Sequence, residues 1–215
     1  RSAAVRMCTH AAALPHHPPE ARGSSGAAGS QKKGCRPMKI AIIGGGASGM
    51  LSAITARKSG ADVTVFEKLD RVGKKLLSTG NGRCNITNNA DISDFFQNIP
   101  RNPKFLYSAL YSYDNYRVID FFEENGMKTK IERGNRVFPV SDHSSDVIST
   151  FKKVLKKEGV EILLNTEFKK LIIEDDTVKG VLLVDNTAIM ADNVIMATGG
   201  LSYPSTGSTG DGIRA

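Results

Sequence analysis

The chain has 215 residues, enough to bury a sizeable core, and a formal charge of +7. Six of its 29 basic residues and one of its 22 acids fall in residues 1–37, so the 23 and 21 left in the body nearly cancel and bulk charge supports no nucleic-acid footprint. Three cysteines, Cys8, Cys35 and Cys84, are too few and too scattered for a disulfide framework or for paired C-x-x-C zinc spacing, so a reducing, cytoplasmic setting without a metal site is expected.

Residues 1–37 mix Ala, Gly, Ser, Pro and His ("AAALPHHPPEARGSSGAAGS") without a sustained apolar period. Such a segment cannot bury enough surface to offset the entropy of ordering, so a disordered tail foreign to the fold is expected. Its arginines and scarcity of acid resemble an organelle transit peptide, but Pro15, Pro18, Pro19 and the Gly/Ser run oppose an amphipathic helix. Met38 opens the first predicted strand directly, and the chain begins with Arg rather than Met. Both fit extra sequence ahead of the fold. His10, His16 and His17 would meet a metal there only incidentally.

From Ile40 to Ala56 no residue is charged. A membrane span needs about 20 mainly apolar residues, and this stretch breaks on Gly44, Gly45 and Gly46. It reads as a buried strand, "KIAIIG", a glycine turn, and a helix, "SGMLSAITARKSG", that Gly60 ends; the next strand is "DVTVFE". Gly44, Gly46 and Gly49 form G-x-G-x-x-G in this β-α-β unit, and Glu67 closes the second strand. The first glycine permits the tight turn, the second lets a pyrophosphate approach, the third lets helix and strand pack, and the acid accepts from a ribose diol. An acid there opposes a second phosphate on the ribose, which leaves NAD and FAD both open.

The stretch "LLSTGNGRCNITN", Leu76 to Asn88, follows with no helix or strand period and reads as a loop. Helical patterns come next in "PKFLYSALYSY" and in "DNYRVIDFFEENG", the latter with Val118, Ile119 and Phe122 on one side and Gly126 as its C-cap. Extended pieces, "MKTKIE" and "NRVFPV", precede a stronger helix over Ser145 to Glu158, with Asp146 in its first turn and Lys156 and Lys157 in its last. His143 sits at that helix start, where a cap or an anion contact is expected; Arg136 and His143 stay open as substrate or nicotinamide contacts. After Gly159 the period becomes two. "VEILLN", "FKKLIIED", "VKGVLLVDN" and "TAIMAD" read as a small antiparallel meander, leading to a buried strand, "NVIMATGG", and a Gly/Ser/Thr loop, "LSYPSTGSTGDG".

This order of fingerprint, meander and A-T-G strand end resembles the FAD-binding domain of two-dinucleotide-fold flavoproteins, a Rossmann-like α/β fold with an antiparallel β-meander. The stretches "GGGASGM", "VGKKLLSTGNGRCNITN", "RVFPVSDHSSDV" and "ATGGLSYPSTGSTGDG" are similar to those of the aminoacetone-oxidase-like NAD(P)/FAD-dependent oxidoreductases of bacteria, a family that includes a 3-dehydro-bile-acid reductase. The resemblance covers Met38 to the C-terminus. It implies that residues 38–215 are the N-terminal portion of a FAD-binding domain, truncated before a substrate domain and inactive alone.

The resemblance further implies that Lys74, Ser78, Thr79, Gly80, Arg83, Cys84 and Asn85 of the loop line FAD. The expected cofactor set also takes Ala47, Ser48, Lys68 and Phe168, and Ala197, Thr198 and Gly199 at the later strand end. The loop's composition agrees, since its glycines turn tightly and its Asn, Ser and Thr side chains can hydrogen-bond phosphate or flavin. Cys84 has no C-x-x-C partner and is expected to pack rather than to carry redox chemistry; no catalytic residue is assigned. The implied activity is FAD-dependent hydride transfer, with NAD(P)H as the candidate donor and a conjugated small molecule as substrate, without nucleic acid or membrane. A tRNA-modifying flavoprotein and an NAD-binding dehydrogenase domain are the alternatives.

Overall fold

A computed structural model describes residues 36–214 of the chain. Most of the expected tail, with His10, His16, His17, Cys8 and Cys35, lies outside the described residues. Strand β1 (Lys39–Ile43), helix α1 (Ala47–Lys58) and strand β2 (Asp62–Phe66) form the expected β-α-β unit, with β1 and β2 parallel. Helix α1 begins without a side-chain cap or an acid in its first turn and ends with Arg57 and Lys58, whose charges complement the dipole there. Gly60 follows in the left-handed region at φ +87°, as a helix end of this kind requires.

The stretch expected as a loop contains a short helix α2 (Lys74–Ser78), a 3₁₀ turn over Thr79–Gly82 and a two-residue strand β3 (Thr87–Asn88). Helix α3 (Ile92–Gln97) was not legible in the periodicity, and "PKFLYSALYSY" divides into a 3₁₀ turn, Pro103–Leu106, and helix α4 (Tyr107–Ser112). Helix α5 (Asn115–Glu124) is capped by Asp114, which accepts from the Arg117 N–H at 2.8 Å, and it buries Phe121 and Phe122. Strands β4 (Thr129–Glu132) and β5 (Arg136–Pro139) pair antiparallel, with β3 on the far edge of β5.

Helix α6 (Ser144–Lys157) buries Val147, Phe151, Val154 and Leu155 at helical spacing. His143 is its N-cap residue, but its side chain makes no capping bond. Strand β6 (Glu161–Leu163), expected as the first strand of the meander, instead pairs parallel to β2. Alternation alone cannot separate these outcomes; the preceding helix can, because a helical crossover delivers the chain to a parallel position. Strands β7 (Phe168–Glu174), β8 (Thr177–Leu183) and β9 (Ala188–Met190) are the antiparallel meander, and β10 (Asn193–Met196) returns beside β1. A last helical turn, α7 (Asp211–Arg214), follows a 3₁₀ turn at Pro204–Thr206.

The parallel sheet, in the order β10-β1-β2-β6, is covered on both faces. Ile42, Val63 and Val65 join a core with Met50, Ala53 and Ile54 of α1 and Phe151 and Leu155 of α6. Ala41, Ile43 and Phe66 point the other way, onto Val181 and Leu183 of the meander. Burial on both faces is why "IAII" reads as a continuous apolar run rather than an alternating one. Parallel strands between two layers leave their carboxyl ends at one edge, and β10 and β2 flank β1 there on opposite sides. In open α/β sheets that edge is where ligands bind.

Candidate cofactor site

A cleft of about 360 Å³ opens at that edge. The first wall is the turn from β1 into α1. Gly44 is held there because an added Cβ would stand 2.5 Å from the Ala197 carbonyl oxygen, and Gly49 because its Cβ would overlap the Gly44 carbonyl oxygen. These two glycines are demanded by the protein itself. Gly46 differs: its φ of −77° suits any residue, and an added Cβ would meet nothing within 4 Å. What a side chain there would fill is the cleft. The first turn of α1 has no side-chain cap, so its leading N–H groups are available to an anion.

Glu67 forms the second wall at the end of β2. Its Oε2 accepts from the Gly45 N–H at 2.7 Å and its Oε1 from the Leu69 N–H at 2.9 Å. Each oxygen keeps a further lone pair for a ribose hydroxyl. Lys68 beside it donates to Thr209 Oγ1 and Asp211 Oδ2 at 2.7 and 2.6 Å. Lys74, on α2, makes no hydrogen bond among the described residues and lines the cleft, its charge reaching Asp70 only as a minor electrostatic contribution. Thr79 closes this side, its hydroxyl donating to Leu76 O at 2.9 Å.

The third wall is Phe168 at the start of β7 and the segment after β10, Ala197, Thr198 and Gly199. Of the residues expected from sequence, the cleft thus brings together Gly44, Gly46, Ala47 and Ser48, then Glu67, Lys68, Lys74 and Thr79, and this third wall. Gly49, Ser78, Gly80, Arg83, Cys84 and Asn85 stand outside the lining. Gly49 packs against the glycine turn, and Ser78 donates to Lys75 O. A Cβ on Gly80 would stand 2.7 Å from the Asn85 N atom, so that part of the loop folds on itself.

Arg83 is committed elsewhere. Its Nη1 donates to Glu132 Oε1 at 2.9 Å and Asp142 Oδ1 at 3.1 Å, with the guanidinium 4.1 Å from the Phe138 ring centre. Lys130 completes the cluster, 2.5 Å from Asp142 and 3.4 Å from Glu132. The Arg83 bond holds the Glu132 carboxyl below its ordinary range, and the Lys130 bond does the same for Asp142. Cys84 is buried at 1% exposure. Burial pushes its thiol up, against an opposing hydrogen bond with Thr79, which is the reverse of the activation a reactive thiolate needs.

The sequence reading missed Leu69, Thr206, Gly207, Ser208 and Asp211, all in the lining. Ser208 is 7% exposed, lines the cleft and makes no side-chain hydrogen bond among the described residues. The Gly/Ser/Thr composition of "SYPSTGSTGDG" was the available signal, since small residues let a backbone come close. Open space at Gly46, the uncapped N–H groups of α1, the Ser208 hydroxyl and the Lys74 cation together fit a dinucleotide such as FAD.

The chain matches the HI0933-like protein Rossmann domain over residues 38–215. It is 37% identical over 177 residues to a 3-dehydro-bile acid delta(4,6)-reductase of Clostridium scindens, covering 81% of this chain and 42% of that protein. It is 35% identical over 175 residues to a ribosomal RNA dihydrouridine synthase of Haemophilus influenzae, covering 80% and 43%. The chain therefore spans less than half the length of either relative. The fold is similar to that of a 3-ketosteroid-delta4-(5alpha)-dehydrogenase from Rhodococcus jostii, with a TM-score of 0.59 at 14% identity, over 77% of this chain and 47% of that one. Among the described residues no helix is long and apolar enough to cross a membrane.

Proposed function

The chain belongs to the HI0933-like Rossmann-domain family, whose fold is of the FAD-binding type, and from that premise we propose that it forms the FAD-holding part of a reductase of carbon–carbon double bonds conjugated to a carbonyl group. The cofactor half of this reading is carried by the cleft, where Gly46 leaves space that no protein atom uses while the adjoining helix N-terminus presents donors and Glu67 presents acceptors to the same opening. The leading N–H groups of α1 would bind the pyrophosphate, with Lys74 adding positive charge. Glu67 would accept from the ribose hydroxyls, and Ser208 and Thr198 offer hydroxyls further along the cleft. FAD supplies hydride transfer and electron storage when bound. The residues of the cleft would orient it and shield it from water.

The substrate half rests on the relatives' chemistry. A delta(4,6)-reduction beside a 3-keto group and the saturation of a uracil ring are both additions of hydride and a proton to a double bond polarised by a carbonyl. The narrower aminoacetone-oxidase-like grouping, an NAD(P)H donor and a small-molecule substrate belong to this proposal. Uridine in RNA is the second reading, favoured by the ribosomal RNA relative at 35% identity. The nearly neutral body favours the small molecule.

Chromatography of the cofactor released by heat tests the first half: FAD is expected, and nicotinamide nucleotide alone would overturn it. For the second half, protein-bound reduced flavin is offered a 3-keto-4-ene steroid and a uridine-containing RNA without oxygen. Reoxidation by the steroid supports the leading reading, and reoxidation by RNA alone moves the assignment to RNA.

A further inference from the structure

Residues 199–210 form one wall of the cleft, yet they are tied to the protein differently from every other wall. The last backbone bond from this side to the sheet is Ala197 N–H to Ile43 O, at 2.8 Å. Beyond it, the backbone hydrogen bonds of the segment among the described residues stay within it or reach only the start of α7: Thr206 to Tyr203, Gly207 to Pro204, Thr209 to Gly207 and Ile213 to Gly210. No ladder holds the strap down.

Side chains do. Lys68 Nζ donates to Thr209 Oγ1 at 2.7 Å and pairs with Asp211 Oδ2 at 2.6 Å, while Thr209 Oγ1 donates to the same carboxylate oxygen at 2.8 Å. At the near end Lys75 Nζ donates to Ser202 O at 2.9 Å, and at the far end Gly212 N–H donates to Thr198 Oγ1 at 3.1 Å. Gly207 lies against the segment that follows β2, where an added Cβ would stand 2.9 Å from Leu69 Cδ1. That seat brings the Ser208 hydroxyl into the cleft. The Lys68 and Asp211 side chains are 20% and 30% exposed, so their attraction is less screened than that of a surface pair.

We propose that Lys68 and Asp211 form a clasp that holds the 199–210 strap closed over the cleft, and that its opening sets the rates at which the dinucleotide enters and leaves. The role rests on the reading of the cleft as a FAD site. The two residues act here as positioning residues, through the strap and the Ser208 hydroxyl it carries. A residue that only contacts the ligand changes its departure rate and leaves arrival untouched. A clasp that must open in both directions changes both.

The test follows flavin fluorescence in stopped flow, measuring FAD association and its displacement by excess ADP, for the 215-residue chain and for Asp211→Asn. The variant keeps the side-chain shape and removes the charge. The expected result is a rise of about tenfold in both rates, the effect of losing one charge-assisted bond. The exchanged pair, Lys68→Asp with Asp211→Lys, should return both rates toward the starting values. An unchanged association rate, or rates untouched by the substitution, would overturn the clasp. Hydrogen exchange of the amides of residues 206–213 in the ligand-free chain separates this from the FAD reading. Faster exchange in Asp211→Asn, reversed by the exchanged pair, supports the clasp even if FAD does not bind, and equal exchange in all three proteins overturns it.

Discussion

Glu67 Oε2 accepts the Gly45 N–H at 2.7 Å, which ties the end of β2 to the glycine turn that follows β1. The same carboxylate accepts the Leu69 N–H through its other oxygen. An acid that the sequence marks as a ribose acceptor is therefore also the strut that fixes the shape of the phosphate-binding turn. Binding and architecture share one side chain, at 8% exposure.

Glu67→Gln tests that double duty. Glutamine offers one oxygen where two N–H groups need acceptors, so one buried donor loses its partner at a cost of about 1–3 kcal/mol. The ligand-free variant should melt earlier by an amount of that order, and FAD affinity should fall as well. Thermal denaturation without cofactor reads the first effect and titration reads the second. A variant that loses affinity with an unchanged Tm would show that the strut is of no consequence to the fold.

The three fingerprint glycines separate in the same way. Gly46→Ala should leave ligand-free stability within about 0.5 kcal/mol, because the new Cβ meets no protein atom, yet weaken FAD binding by filling the space the ligand needs. Gly49→Ala should damage the fold itself, since its Cβ overlaps the Gly44 carbonyl oxygen. Parallel melts and FAD titrations of the two variants check this, and equal binding by Gly46→Ala and the parent would mean that the ligand lies elsewhere.

The Arg83 cluster predicts an acid dependence. Glu132 and Asp142 are held below their ordinary values of 4.5 and 3.8 by Arg83 and Lys130. Carboxylates depressed in the fold contribute stability that is present above those ordinary values and lost as pH falls through the lower folded ones. Stability measured by urea unfolding from about pH 5 to about pH 3 should fall less steeply in Arg83→Met than in the parent. Salt should shrink the difference, because the cluster is open to solvent. Parallel slopes in the two proteins would remove the cluster from the acid response.

The β-α-β unit was legible because both faces of β1 and β2 are buried, and a continuous apolar run, a glycine turn and an acid at a strand end, in that order, suit little besides a dinucleotide-binding turn. On the side of the cleft built from local sequence, Gly44, Gly46 and Glu67 were marked by spacing, whereas Ala47, Ser48 and Lys68 came with the family resemblance. Strand β6 did not, because three residues with one apolar face suit parallel and antiparallel partners equally well. In the loop, Arg83 has the composition of a phosphate ligand, but Glu132 and Asp142 lie 49 and 59 residues away in the chain, and only the fold puts them within 3.1 Å. Gly207 and Asp211 were hidden for the same reason: Leu69 and Lys68, which they meet, come from the far side of the meander in sequence.

Residues 91–114 hold α3, a 3₁₀ turn and α4 without one buried residue. Phe96, Tyr107 and Tyr111 lean on one another, with ring centres 4.2 and 5.6 Å apart from Phe96, while Phe105 and Tyr111 are 77% and 65% exposed. The segment is tied at its end by Asn115, whose amide donates to Asn88 O and Ala90 O at 2.8 and 3.0 Å. Rings grouped on a surface without a covering layer favour contact with other apolar surface. The 215-residue chain should therefore associate as its concentration rises, and Phe105→Ser with Tyr111→Ser should suppress this. Because neither ring is part of the core, the double variant should keep its Tm, with a stability change within about 0.5 kcal/mol for each position. Light scattering across a concentration series, beside thermal melts, reads both effects. Association that persists unchanged in the double variant would place the sticky surface elsewhere, and a large drop in Tm would show that the rings support the fold after all.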